Sequence, residues 1–257
     1  MTLVMGILNV TPDSFSDGGE FLDPKKAIAR GLEMMEEGAT IIDVGGESTK
    51  PGAERVSLDE ELTRVIPVIH ALAKAGAKVS VDTMRAETAG MAVAAGASII
   101  NDVSGGLSDP AMHVTAAALK VQYISMHWRG ESKDMDSLAV YENVVNEVIH
   151  EMTKQIAAAL LAGIEPTKLV IDPGLGFAKN AEHNWVILRN IDKFKELGFP
   201  ILVGGSRKRF LGGSNPLERE SASIALTTWL ATKDIWGVRT HTVKPHVDAI
   251  RTVGQIA

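Results

Sequence analysis

The sequence predicts an α/β fold of repeated strand–helix units closing into a (β/α)8 barrel, and three observations carry that expectation. Eight short apolar runs, at 3–8, 40–44, 78–81, 98–100, 121–126, 168–171, 200–203 and 236–240, have the length of strands buried on both faces. Segments of helical period lie between them, with Ala27, Ile28, Leu32 and Met35 in one and Val144, Val145, Val148, Ile149, Met152 and Ile156 in another. The stretches 38–46 and 96–106 echo each other, each reading as a helix C-cap glycine that leads into a strand ending in acid or amide residues. Alternation alone does not show closure, so an open doubly wound sheet is the alternative architecture.

The 257 residues suffice for a sizeable core, and no linker-like shift in composition divides them, so 1–257 reads as one domain. A net charge of -6 and the lack of a long basic run argue against nucleic-acid or membrane-surface binding. Cysteine is absent, which excludes disulfides, thiolate nucleophiles and cysteine zinc sites and agrees with a cytoplasmic location. The first eight residues lack a basic region and a cleavage site and read as a strand rather than a signal peptide. No apolar run approaches the ~18 residues needed to span a bilayer.

In such a barrel, function sits where strands end and loops begin. Taken in order, the runs end on Asn9, on Asp43 with Glu47, on Asp82, on Asn101 with Asp102, on His127, on Asp172, on the group Ser206 to Arg209, and on Arg239 with His241. Polar or ionisable groups at every end are hard to explain by packing and point to a small-molecule site. At the seventh end an apolar run meets two glycines and then Arg207, Lys208 and Arg209, which suits an anion approached closely by backbone. A solvated charge cluster is the other reading of those cations.

The loops 9–19 and 45–53 are rich in turn formers and hydroxyls and read as mobile covers. In 172–177, Pro173 and two glycines fix a tight turn that directs Asp172 inward and leaves Phe177 as a flat apolar wall; the alternative role for Asp172 is a helix N-cap. Neither G-x-G-x-x-G nor G-x-x-x-x-G-K-[ST] occurs, which removes the usual support for dinucleotide or P-loop binding. Without H-E-x-x-H or G-x-S-x-G, a zinc hydrolase or a serine triad is unsupported, and His70, His113, His150 and His183 fall in helical segments where ordinary roles are expected.

Seven motifs, in order, carry a resemblance over essentially the whole chain: 5–19, 43–49, 80–83, 101–106, Met126 with His127, 172–177 and 206–208. On these the sequence resembles the dihydropteroate synthase family. The resemblance implies a TIM barrel that joins 4-aminobenzoate to 6-hydroxymethyl-7,8-dihydropterin diphosphate and releases pyrophosphate in folate synthesis. It implies a pterin pocket of Asp82, Asn101, Met126, Asp172, Phe177, Gly204 and Lys208. Thr49, Arg239 and His241 would contact the diphosphate, and Asn9 would contact Mg2+. Phe15, Pro51 and Arg209 would form the aminobenzoate site, with Lys208, Asp172, Arg239 and His241 as the catalytic set. The chemistry agrees, since a carboxylate such as Asp172 can accept the pterin amino group and ring N–H side by side. Cations at the diphosphate would stabilise the leaving group as a pterin cation forms. A cytoplasmic homodimer joined through outer helices, and a target of sulfonamides, complete what the likeness implies.

Two positions depart from the family's usual pattern: Lys50, where arginine is usual, and Thr242, where aspartate is usual. The aspartate either orients His241 or caps the last helix, and capping is the expected role because Thr is also an N-cap residue. Three other readings stay open. A non-catalytic pterin-binding paralogue would not turn over the two substrates. A methyltetrahydrofolate methyltransferase would have no task for Asn9 or 206–208, and a Schiff-base lyase would use Lys208 as nucleophile.

Overall fold

The computed structural model describes residues 1–11, 24–48, 52, 55–131 and 133–256. The expected site residues Phe15, Thr49 and Pro51, and the departure at Lys50, lie outside them.

Strands and helices alternate along the chain. The strands are β1 (Leu3–Asn9), β2 (Ile41–Gly45), β3 (Val79–Asp82), β4 (Ile99–Asp102), β5 (Gln122–Met126), β6 (Leu169–Asp172), β7 (Leu202–Val203) and β8 (Gly237–Thr240). The helices are α1 (Pro24–Glu36), α2 (Leu58–Lys74), α3 (Ala86–Ala94), α4 (Met112–Leu119), α5 (Val144–Leu161), α6 (Ala181–Arg189), α7 (Ile191–Lys195), α8 (Glu220–Ala231) and α9 (Lys244–Ile256). All strand pairs are parallel, in the order β6-β5-β4-β3-β2-β1-β8-β7. A parallel bridge between Ile171 and Ile201, with Ile171 N donating to Pro200 O at 2.9 Å, brings the two ends of that order together and closes the barrel. The expected (β/α)8 architecture is therefore the observed one, and the open sheet is not.

β7 is shorter than the 200–203 expected for it. Proline has no N–H to give a ladder, so pairing starts late, and Gly204 and Gly205 turn the chain away directly afterwards.

Side chains alternate across each strand, and the two faces bury different cores. Val4, Leu8, Ile42, Val44, Val79, Val81, Ile100, Tyr123, Leu169, Ile171, Val203 and Val238 face outward and pack against the helices. Met5, Ile41, Ile99, Ile124, Val170 and Leu202 form a separate cluster inside the barrel, with Leu3 and Trp236 against it. Each fully buried side chain of this kind contributes roughly 1.5–3 kcal/mol. Helix α5 shows how the outer layer docks, since Val144, Val148, Met152, Ile156 and Ala159 recur at helical spacing on its buried face. Its start is fixed by the Asn143 side chain accepting from Asn146 N at 3.1 Å.

Candidate active site

The inward cluster fixes where the site must lie. Two residues beyond Ile41, Ile99, Ile124, Val170 and Leu202 stand Asp43, Asn101, Met126, Asp172 and Gly204, so period 2 turns all five to the inside at the C-terminal mouth. The apolar plug beneath makes the floor. Met126 also packs with Met84 and Val103, and Phe177 rests on this group, which gives the mouth one apolar wall.

Acid and base groups converge above that floor. Arg239 Nε donates to Asp43 Oδ2 at 2.6 Å and Arg239 Nη2 to Asp82 Oδ2 at 2.5 Å. Asn101 Nδ2 donates to the same Asp43 oxygen at 2.9 Å. Asp43 is 0% exposed, and its Oδ1 has no partner. Burial lifts the Asp82 carboxyl to about 7, with Arg239 pulling it back and Asp43, Glu61 and Asp102 adding to the rise. Burial works against the Arg239 charge, yet Asp43 and Asp82 more than offset it and raise its pKa.

Asp172 and Lys208 occupy the adjacent ends. Asp172 is buried and its Oδ1 accepts from Gly174 N at 2.7 Å. Burial raises its pKa, opposed by that N–H and by Lys208, Arg239 and Lys179. Gly174 has φ +67, and a Cβ there would lie 2.4 Å from His127 O, so both the turn and the close approach require glycine. The Lys208 ammonium donates to Leu175 O and sits 4.1 Å over the Phe177 ring. Burial pushes it down to about 7, with Asp172 and Asp82 drawing it up and Arg239 adding to the fall.

The three cations of 207–209, grouped together by sequence, diverge in space. Arg207 takes a left-handed φ of 58, an unusual conformation for a residue with a side chain, and turns outward so that its Nε donates to Glu220 Oε2 at 2.7 Å. Lys208 therefore turns inward. Arg209 is exposed, and its Nη2 meets the exposed Asp136 at 3.2 Å. His241 shares a 3.0 Å contact from Nδ1 to Ser206 Oγ, and Ser206 Oγ also accepts from His241 N at 3.2 Å. Burial lowers the imidazole to about 3, helped by Arg207 and Arg239, so it is neutral at ordinary pH.

Thr242 differs from its expected role as a cap. Its hydroxyl donates to Glu220, the carboxylate that also holds Arg207, while the first helical bonds of α9 run to Val243 O from His246 N and Val247 N, each at 3.0 Å. The pull comes from a carboxylate 22 residues earlier in the chain, which helix-start patterns do not register.

Two groups were missed as site residues by sequence reasoning. Asp43 stood among the strand ends but outside the binding set; its match to Asn101 in the echoed segments was the available signal. Lys179 carried no signal at all. It is buried behind the Asp172 loop, where Nζ lies 2.8 Å from His127 Nδ1 and donates to Gly174 O at 3.1 Å and Phe177 O at 3.0 Å.

The arrangement offers a buried carboxylate, an amide and an ammonium against an apolar wall, with Arg239 and His241 beside them. Such a set can grip a flat heterocycle by its edge and hold an anion next to it.

Comparison with known proteins agrees. The family model described as "Pterin binding enzyme" matches residues 5–241. A dihydropteroate synthase of Mycobacterium leprae is 48% identical, with 98% of this chain and 92% of that one covered. The structure of Xanthomonas albilineans dihydropteroate synthase with 4-aminobenzoic acid superposes with a TM-score of 0.93 at 42% identity, covering 99% of this chain and 93% of the other. That of Anaplasma phagocytophilum dihydropteroate synthase with bound 6-hydroxymethylpterin-monophosphate gives 0.91 at 34% identity, covering 100% and 99%. With the family model spanning most of its length and relatives alike in sequence and fold, this chain belongs to the dihydropteroate synthase family of pterin binding enzymes.

Proposed function

We propose that this chain condenses 6-hydroxymethyl-7,8-dihydropterin diphosphate with 4-aminobenzoate, giving 7,8-dihydropteroate and pyrophosphate. The observation that carries the reading is buried Asp172 close enough to feel the charge of the Lys208 ammonium at the β6 and β7 ends, beside the Phe177 wall. Asp172 Oδ1 is occupied by Gly174 N, which leaves its second oxygen for the pterin amino and ring N–H groups. Asn101 and Asp82 face the other edge, and Met126 with Phe177 encloses the ring. Gly204 keeps the approach open, since a Cβ there would sit 3.6 Å from Asp172 Oδ2.

Arg239 and the neutral His241 are the diphosphate donors in this reading, with Thr49 as a third. Lys208 steadies the pterin carbonyl side, and charge leaving with pyrophosphate is met by donors fixed beforehand on strand ends. Phe15, Pro51 and Arg209 are assigned to 4-aminobenzoate, and sulfonamides would compete there.

Magnesium is proposed at Asn9. Its amide oxygen, a hard donor, lies 3.7 Å from where a Cβ would stand on Gly45, its register partner on the neighbouring strand. Among the described residues there is no group of three His, Cys, Asp or Glu that could cage a metal, so its other ligands would be phosphate oxygens and water. Bound there, it would neutralise the leaving diphosphate. The protein is further proposed to act as one domain over 1–257, as a homodimer in the cytoplasm; no helix among the described residues is long and apolar enough to cross a membrane.

The deciding experiment is pyrophosphate release measured with and without 4-aminobenzoate. Release that requires the amine is expected. Pterin binding without turnover would instead mark a binding paralogue.

A further inference from the structure

We propose that Lys179 is the positioning residue of the pterin pocket: its buried ammonium holds the 174–177 turn that aims Asp172 and Phe177. The proposal rests on the pterin reading above and deepens it. An ammonium has three N–H donors. At Lys179 all three have acceptors, Gly174 O at 3.1 Å, Phe177 O at 3.0 Å and His127 Nδ1 at 2.8 Å. The first two are the ends of one turn, itself closed by Phe177 N donating to Gly174 O at 3.1 Å.

The Gly174 residue is held from both sides. Its N–H donates to Asp172 Oδ1 at 2.7 Å while its carbonyl accepts from Lys179. Loss of the ammonium frees that carbonyl and lets the residue rotate, which withdraws the N–H from Asp172 and the ring of Phe177 from beneath Lys208. Lys179 itself need not touch the substrate.

Its third donor ties the turn to the next strand. With Nδ1 accepting from the ammonium, the His127 proton sits on Nε2 and donates to Glu151 Oε2 at 2.8 Å. Arg129 grips the same Glu151 with Nε at 3.0 Å and Nη2 at 2.6 Å. His127 N also donates to Asp172 O at 2.8 Å, so the chain of contacts returns to the pocket. The charged and titratable groups facing Lys179 are Asp172, Lys208, Arg129, Glu151, His127 and His183. Burial and these neighbours bring Lys179 down to about 7 and His127 to about 4, consistent with a proton held on the lysine rather than the imidazole.

The test is Lys179→Met, which keeps an unbranched side chain one atom shorter and removes the three donors. KM for the pterin diphosphate is expected to rise at least tenfold. kcat, and KM for 4-aminobenzoate at saturating pterin, should stay within threefold, because the lost contact serves ground and transition states alike. A general structural role would instead lower kcat through a smaller active fraction and leave KM unmoved. An unchanged pterin KM, or a fall in kcat alone, overturns the proposal. A second measurement needs no variant: 15N NMR of the wild-type imidazoles must report His127 with Nδ1 unprotonated and Nε2 protonated. An Nδ1–H tautomer overturns the proposal even if Lys179→Met does not fold. Wild-type protein that turns over no pterin diphosphate would refute the pterin reading instead, so the two failures are distinct.

Discussion

Arg239 and Asp82 are joined by a 2.5 Å hydrogen bond across the mouth of the barrel, from the last strand to the third, and the same guanidinium reaches Asp43 on the second. One side chain thus fixes three strand ends. Its fork geometry allows this, since Nε and Nη2 donate in one plane to two different carboxylates.

Removing Asp43 should therefore destabilise the protein before it touches the chemistry. Asp43→Ala leaves a buried guanidinium with one carboxylate in place of two and deprives Asn101 Nδ2 of its acceptor. Breaking a buried pair costs about 3–5 kcal/mol, and because Asp82 remains, about 3 kcal/mol is expected. Urea unfolding gives the number; a loss under ~1 kcal/mol would mean that Asp82 alone suffices.

Asp172→Asn should weaken pterin binding and spare the fold. The amide oxygen can keep the bond from Gly174 N, but the NH2 group then faces the ligand's own donors. An affinity loss of ~2 to 4 kcal/mol is expected. Calorimetry with an unaltered pterin Kd would remove Asp172 from the pocket.

The Lys208 ammonium should show as a pH-dependent cost to stability. Its folded pKa lies near 7, well below the ordinary 10.5 of the unfolded chain. Between those values the unfolded state binds more protons, so stability rises with pH there and the cost is largest below about 7. Lys208→Met should be more stable than the wild type at pH 6, with an advantage that shrinks toward pH 10. Parallel stability curves for the two proteins would show that the ammonium is not strained by burial.

Thr242→Asp should lower stability and fail to raise activity. The new carboxylate would face Glu220, which against its own burial is kept below the ordinary carboxylate range by Thr242 and Arg207. Exchanging a donor for a like charge costs roughly 1 kcal/mol at pH 7, recovered in part as the carboxylates protonate. A rise in kcat/KM of more than about tenfold, ~1.4 kcal/mol of transition-state stabilisation, would mean that an acid at 242 serves His241 directly.

The barrel and its polar mouth were legible because both follow from short-range rules. Period 2 and the apolar runs place Asp82, Asn101, Asp172 and Arg239 on strand ends, and the two glycines after Val203 announce the turn that presents Lys208. Long-range partners were not legible. The directions of Arg207 and Arg209 depend on Glu220 and Asp136, 13 and 73 residues away, and no spacing rule reaches that far. The capping role expected of Thr242 rests on its residue type, and a tertiary acceptor takes its hydroxyl instead. Lys179 follows Ala178 with no pattern around it, and its role exists only once β5 and β6 lie side by side.

The closure of the ring at Ile171 and Ile201 has a further consequence. Among the described residues, this is the adjacent strand pair joined through an isolated bridge rather than a continuous ladder, so it is the seam of the hoop. Asp172 stands one residue past the seam on one side, and Gly204 and Lys208 follow it on the other. A ligand gripped by both Asp172 and Lys208 acts as a clasp, supplying across the gap the cross-links that the backbone there lacks. Occupancy of the mouth and integrity of the ring then belong to one equilibrium, and the folded barrel gains stability as RT ln(1 + [L]/Kd) with pterin concentration.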